Sequence, residues 1–138
     1  MIREMSALAL IATLLFAAPA KAADYDAGLS AYESGKYDAA LTEWQPLAES
    51  GDARAQFGLG MMYANGFGVE MNDEKALHWF REAAAQDYAE AQYRIGVMHQ
   101  NGWGVPMNDE TAADWYMKAA SQGYTDAQVA LGQGAAGE

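Results

Sequence analysis

The sequence predicts an all-α fold, a solenoid of antiparallel helix pairs rather than a single globular core, and two observations carry that prediction. First, the stretch 55–90, AQFGLGMMYANGFGVEMNDEKALHWFREAAAQDYAE, is followed at once by a second copy of equal length at 91–126. Laid over each other without a gap, the two share 18 of 36 residues. Several mismatches are gentle: Phe57 with Tyr93, Leu59 with Ile95, Phe67 with Trp103, Phe80 with Tyr116. A fixed period of this size is the mark of stacked supersecondary units. Second, Ala76, Trp79, Phe80, Ala83 and Ala84 fall at i, i+3, i+4, i+7 and i+8, the stripe of an amphipathic helix.

In chain order, residues 1–22 read as an export leader, with Arg3 near the front, an apolar run from Ala7 to Ala18, and Ala20-Lys21-Ala22 as a small-x-small cleavage site. The apolar run is shorter than the roughly 20 residues that a membrane-spanning helix needs, so a periplasmic or secreted protein without membrane insertion is expected. Residues 23–54 form a degenerate first unit, in which Tyr32 and Gly35 match Tyr63 and Gly66, while Ala40, Trp44 and Ala48 match Ala76, Phe80 and Ala84. The tight Gly35-Lys36-Tyr37 turn suits two directly joined antiparallel helices.

Each full repeat carries a helix A and a helix B. Helix B is preceded by Asn72-Asp73-Glu74, and by Asn108-Asp109-Glu110 in the copy. These supply side-chain caps and negative charge at the positive end of the helix dipole. Gly51 and Gly123 stand where helix B stops, with Asp87 in the middle repeat, at positions that suit positive φ. Helix A carries Ala55, Leu59, Met62 and Tyr63 on one stripe, and Ala91, Ile95, Met98 and His99 in the copy. Gly60, Gly96 and Gly132 lie in its interior, where each costs about 0.5–1 kcal/mol relative to alanine. Close approach to a neighbouring backbone is the expected reason.

Two glycines shape each loop between helices A and B, Asn65-Gly66-Phe67-Gly68-Val69 and Asn101-Gly102-Trp103-Gly104-Val105, and the apolar residues should tuck back against the helix pair. Residues 127–138 give a partial third unit that caps the array, opened by a Thr125/Gln128 capping box and ended by a small, flexible tail from Gly134. Trp79 and Trp115 should be buried equivalently between helices, so that Trp79→Ala would cost about 3–5 kcal/mol.

The chain has 8 Lys and Arg against 19 Asp and Glu, a formal net charge of −11, and no cysteine. Such a surface repels phosphate backbones and anionic lipid, so nucleic acid is excluded and a neutral or basic partner is favoured. Acidity also suits a soluble monomer. Without cysteine there is no disulfide, and helix packing alone must supply stability. His78 and His99, the only histidines, lack the companions zinc requires. The serines have no nucleophile-elbow context. Gly66-x-Gly68 lacks the further glycine and lysine of a phosphate cradle, and Asn72-Asp73-Glu74 lacks the oxygen order of a calcium loop. The residues point to no cofactor, no metal and no catalytic group.

The pattern Ala-x-x-x-Leu-Gly-x-x-Tyr-x-x-Gly-x-Gly-Val, then Asp-x-x-x-Ala-x-x-Trp-Phe-x-x-Ala-Ala-x-Gln, from Ala55 to Gln86, resembles the Sel-one-like repeat, a relative of the tetratricopeptide repeat. The chain departs from that pattern at His99, at Asp87, and around Ala112. The resemblance implies a right-handed α/α superhelix whose A helices line the concave face, and an adaptor that holds proteins or peptides, often exported in bacteria. Cysteine-rich members have been linked to β-lactams, and this chain lacks their cysteines. On that reading Gln56, Phe57, Met61, Gln92, Tyr93 and Val97, the helix A residues off the buried stripe, are the candidate protein-binding residues. Phe57 and Tyr93 would form a ladder for an extended peptide, and methionine would add soft, adaptable contact. A competing function is envelope glycan binding, with Tyr93, Trp103 and Phe67 as stacking platforms.

Overall fold

The computed structural model describes residues 21–135, with side chains described to residue 132. All but the last two residues of the expected export leader therefore lie outside the described residues. Within them run α1 (Tyr25–Glu33), α2 (Tyr37–Glu49), α3 (Ala53–Asn65), α4 (Asp73–Ala84), α5 (Ala89–Asn101), α6 (Asp109–Ser121) and α7 (Thr125–Ala135). The principal contacts join each helix to its sequence neighbours, as a solenoid requires. The A helices are α1, α3, α5 and α7; the B helices are α2, α4 and α6. Helix α7 runs on through Gly134, where the sequence places the start of a tail.

The ends of the elements follow their local chemistry. Asn72 Oδ1 accepts from the Lys75 N–H at 2.9 Å, and Asn108 Oδ1 from the Thr111 N–H at 2.9 Å, which satisfies free donors of α4 and α6. Gly66 and Gly102 end α3 and α5 in the left-handed region at φ 68° and 70°. Asp87 takes φ 60° at the turn where the other units use Gly51 and Gly123. The capping box expected at Thr125 does not form: Gln128 Nε2 donates instead to the Ala120 carbonyl at 3.3 Å.

Three core clusters follow one another along the array, each built around the central ring of a B helix: Trp44, then Phe80, then Tyr116. The helix glycines explain how those rings fit. A β-carbon on Gly60 would stand 2.4 Å from the Phe80 ring, and one on Gly96 would stand 2.5 Å from the Tyr116 ring. Trp44 lies between Gly28 and Gly58 in the same manner, at 2.4 and 2.6 Å. The expectation of close backbone approach is met only at Gly96, where a β-carbon would also stand 3.2 Å from the Ala112 carbonyl oxygen; what Gly60 and Gly96 chiefly admit is an aromatic ring. Gly132 has nothing within 4 Å of its would-be β-carbon.

The ring that fills each notch is Phe80 or Tyr116, 1% and 5% exposed. Trp79 and Trp115 are only partly buried, packed on the clusters of the preceding unit. The two tryptophans are thus equivalent, as expected, but only partly buried, and the ring buried in its own pair lies one residue further on, about 100° away around the helix.

The notches give a direct test by urea unfolding. Gly60→Ala and Gly96→Ala should each lose about 1–3 kcal/mol through overpacking, whereas Gly132→Ala should gain about 0.5–1 kcal/mol of helix stability. Equal effects at all three positions would contradict the ring-in-notch account.

Candidate functional site

Between α3 and α5 the chain leaves a cavity of about 280 Å³. Its walls come from one turn of each A helix: Met61, Ala64 and Asn65 on α3, and Arg94, Val97 and Met98 at i, i+3 and i+4 on α5. Phe80 forms part of the lining from α4, Met71 and Asp73 contribute from the loop and first turn before it, and Trp103 from the loop after α5. That last loop is held in place by its backbone, with the Trp103 N–H on the Met98 carbonyl at 2.9 Å and the Asn108 N–H on the His99 carbonyl at 2.8 Å.

The equivalent loop residue one repeat earlier, Phe67, behaves as the sequence suggests. It stacks on Tyr37 with centroids 4.5 Å apart and planes 7° from parallel, and touches Tyr32 at 6.0 Å. Gly68 abuts the Tyr37 β-carbon, and Gly104 abuts the Asp73 β-carbon in the same way, so Asp73 takes the place of Tyr37. With no ring to stack on, Trp103 remains 50% exposed, and Met71 is 63% exposed beside it.

The six sequence-nominated residues separate into three pairs. Met61 and Val97 line the cavity. Phe57 and Tyr93 are half-buried: Phe57 meets Phe80 at 5.7 Å and Tyr88 at 5.3 Å, and Tyr93 meets Tyr116 at 5.5 Å and Tyr124 at 5.3 Å. Their rings join each repeat's core to the turn before the next A helix, so they are braces more than a free ladder. Gln56 and Gln92 are 3% and 4% exposed, which corrects their placement on a binding surface. Each is buried because it is bonded. Gln56 Nε2 donates to the Ala48 carbonyl at 3.1 Å and its Oε1 accepts from Gln86 Nε2 at 2.9 Å; Gln92 does the same with Ala84 at 3.4 Å and Gln122 at 2.8 Å. Each bond gives a second donor to a carbonyl at the end of a B helix, which also accepts from the Gly51 N–H at Ala48 and from the Asp87 N–H at Ala84.

Arg94 and Met71 escaped the sequence reading as site residues, Asp73 entered it only as part of a helix cap, and Trp103 only as a glycan platform. The available signal was a mismatch, since Arg94 replaces the Gly58 of the preceding copy. Among the described residues the one ion pair is Arg54–Asp52 at 3.0 Å. Burial pushes the Tyr32 and Tyr124 phenols up; Tyr37 adds to the shift at Tyr32 and the Glu90 and Asp126 charges add to it at Tyr124, and the Arg94 charge opposes it at both. His78 is exposed. Among the described residues no group of three or more His, Cys, Asp or Glu is placed to hold a metal, and no helix is long and apolar enough to cross a membrane.

A model of the Sel1 repeat matches residues 53–88 and 89–124, each match beginning at the first residue of an A helix. The chain belongs to the Sel1 repeat family. This Sel1 repeat protein is similar to a crystal structure of a Sel1 repeat protein from Oxalobacter formigenes, with a TM-score of 0.76 and 34% identity over 80% of this chain and 45% of that one. It is also similar to a protective antigen of uropathogenic Escherichia coli strains displaying the same fold, with a TM-score of 0.74 and 34% identity over 79% of this chain and 24% of the antigen. A 59-residue stretch, 43% of the chain, is 41% identical to an exopolysaccharide production negative regulator of Rhizobium meliloti (strain 1021) and covers 22% of it. The chain thus spans less than half the length of each of these relatives. Sel1 repeats generally serve as protein-interaction modules.

In this Sel1 repeat protein His99 takes the position of Tyr63, and its Nδ1 is buried without a hydrogen-bond partner. Burial, aided by the Arg81 charge, holds its imidazole below the ordinary value. The unfolded chain binds a proton near pH 6.5 and the folded chain only at lower pH, so stability should fall as pH drops through 6.5 toward the folded value. His99→Tyr should flatten that part of the melting-temperature profile; an unchanged slope would remove His99 as its cause. The braces predict a second result. Phe57→Ala and Tyr93→Ala should each lower stability by about 1–3 kcal/mol in chemical denaturation, where a free-standing ladder would leave it within about 0.5 kcal/mol.

Proposed function

We propose that this protein is an exported, non-catalytic adaptor that holds a peptide segment of a partner protein along the concave side of its A helices. The observation that carries the reading is the apolar cavity between α3 and α5, with Met61 and Val97 in its walls and a half-exposed Trp103 at its edge. Indole and thioether groups in a pocket of this kind are the usual energetic centres of peptide recognition. The leader pattern at residues 1–22 supports export, and the net charge of −11 favours a partner that is neutral or basic overall. A monomer with one groove suffices for this role.

Glycan binding through stacked aromatics has less support. Phe67 is stacked on Tyr37, and Tyr93 braces Tyr116 and Tyr124. Trp103 alone of the three nominated rings is presented with half its surface free, and a glycan platform generally calls for more than one.

The test is photo-crosslinking in an envelope extract. A crosslinking residue at Val97 should capture a discrete protein, while the same residue at His78, on the exposed side of α4, should not. Capture from His78 alone would move the interface to the B helices. Retention on cell-wall fragments that is lost on replacing Trp103 would favour the glycan reading instead.

A further inference from the structure

We propose that Arg94 binds a carboxylate of the held segment while a bulky apolar side chain next to that carboxylate fills the cavity bounded by Met61, Val97 and Trp103. This assignment deepens the adaptor reading and rests on it.

Arg94 is half-buried, whereas every other Lys and Arg among the described residues is exposed. The other cations near aromatic or acidic groups have partners within the chain. Arg54 pairs with Asp52 and lies 4.2 Å from the Tyr25 ring centroid; Lys118 lies 4.2 Å from that of Trp115, and Lys75 5.4 Å from that of Tyr63. Arg94 has no ion pair and no side-chain hydrogen bond among the described residues, although acidic residues outnumber basic ones by 19 to 8. Glu90, one turn earlier on α5, is exposed and not in ion-pair range, and neither is Asp73 across the cavity. Asp73 already faces the positive end of α4 in its first turn.

A guanidinium carries five N–H donors in a planar fork that matches a carboxylate in bidentate fashion. Partly covered by the groove and without an acceptor among the described residues, that fork is open to one brought by the ligand. The site is particular to this groove, because a β-carbon on Gly58, the equivalent of Arg94, would stand 2.6 Å from the Trp44 ring, which leaves no room for a side chain. The cavity of about 280 Å³ lies below the roughly 300–1,000 Å³ typical of sites that enclose whole small molecules. It suits one or two side chains. Its methionines adapt to shape, so leucine, methionine and phenylalanine should all enter.

The carboxylate belongs either to an acidic side chain or to a chain terminus, and blocked peptides separate the two. Four are titrated into isotope-labelled protein: acetyl-Ala-Leu-Glu-Ala-amide, acetyl-Ala-Ala-Leu with a free terminal carboxylate, and the Gln and Lys analogues of the first. The Trp103 indole and Val97 methyl signals report binding. At least one acid-bearing peptide should bind about tenfold or more tightly than the Gln analogue, and the Lys analogue should bind no better than Gln. Arg94→Gln should erase the acid advantage and leave the Gln analogue's binding and the melting temperature unchanged. Equal binding of acid and Gln peptides through Trp103, or an Arg94→Gln variant that keeps the acid advantage, overturns the assignment and leaves the adaptor reading standing. Silence of Trp103 and Val97 toward all four peptides also overturns it, and the Val97 crosslink then decides the adaptor reading separately: capture keeps that reading, and no capture removes it as well.

Discussion

Each helix pair is spaced by an aromatic ring lying directly on the backbone of helix A, and most of the architecture follows from that contact. Phe80 rests on Gly60, Tyr116 on Gly96, and Trp44 lies between Gly28 and Gly58. A glycine inside a helix costs about 0.5–1 kcal/mol relative to alanine, while full burial of a ring of this size returns about 1.5–3 kcal/mol. The ring wins by a margin that shape complementarity can only increase. Once the ring is in place, small residues must fill the remaining space around it, and Ala76, Ala83 and Ala91 around Phe80 are all wholly buried.

Stacking of one pair on the next uses a different device. Gln56, Gln92 and Gln128 each turn an amide back to a carbonyl at the end of the preceding B helix, at Ala48, Ala84 and Ala120. The first two then accept from Gln86 and Gln122. A buried amide is costly when unpaired and modestly favourable when paired, so these glutamines fix where helix B ends relative to the next helix A. Phe57 and Tyr93 reinforce the same junction by ring contacts with Tyr88 and Tyr124. Helix A is therefore engaged on three sides, and little of it remains free.

That engagement explains which features were legible in the sequence. The period, the alternation of helices, the asparagine caps and the positive-φ turns at Gly51, Asp87 and Gly123 are set by local chemistry and by repetition, and all could be read directly. Trp79 and Phe80 both sit on the apolar stripe of α4, and periodicity does not say which of two adjacent stripe residues points at the neighbouring glycine. Gln56 and Gln92 read as surface because they are polar, yet hydrogen bonding to a distant carbonyl, invisible in the sequence, draws them inward. Of the groove, Met61 and Val97 were accessible as helix A positions off the main stripe. Arg94 and Trp103 were not singled out as a pair because comparison of the two copies rewards identity, and their importance lies in a difference.

Three such differences meet at one place. In the groove beside α3, Tyr37 supports Phe67, Tyr32 closes over both, and Gly58 yields its side-chain space to Trp44. One repeat later the equivalents of Tyr37, Phe67 and Gly58 are Asp73, Trp103 and Arg94. Loss of the supporting ring leaves Trp103 half exposed, and the exchange of glycine for arginine adds a guanidinium without an acceptor among the described residues. Any one change would leave a packing defect or a stray charge. Together they turn a groove filled by the chain's own aromatics into one that offers an apolar cavity beside a cation, while the ring, notch and glutamine contacts that hold the repeats together pass through both grooves unaltered.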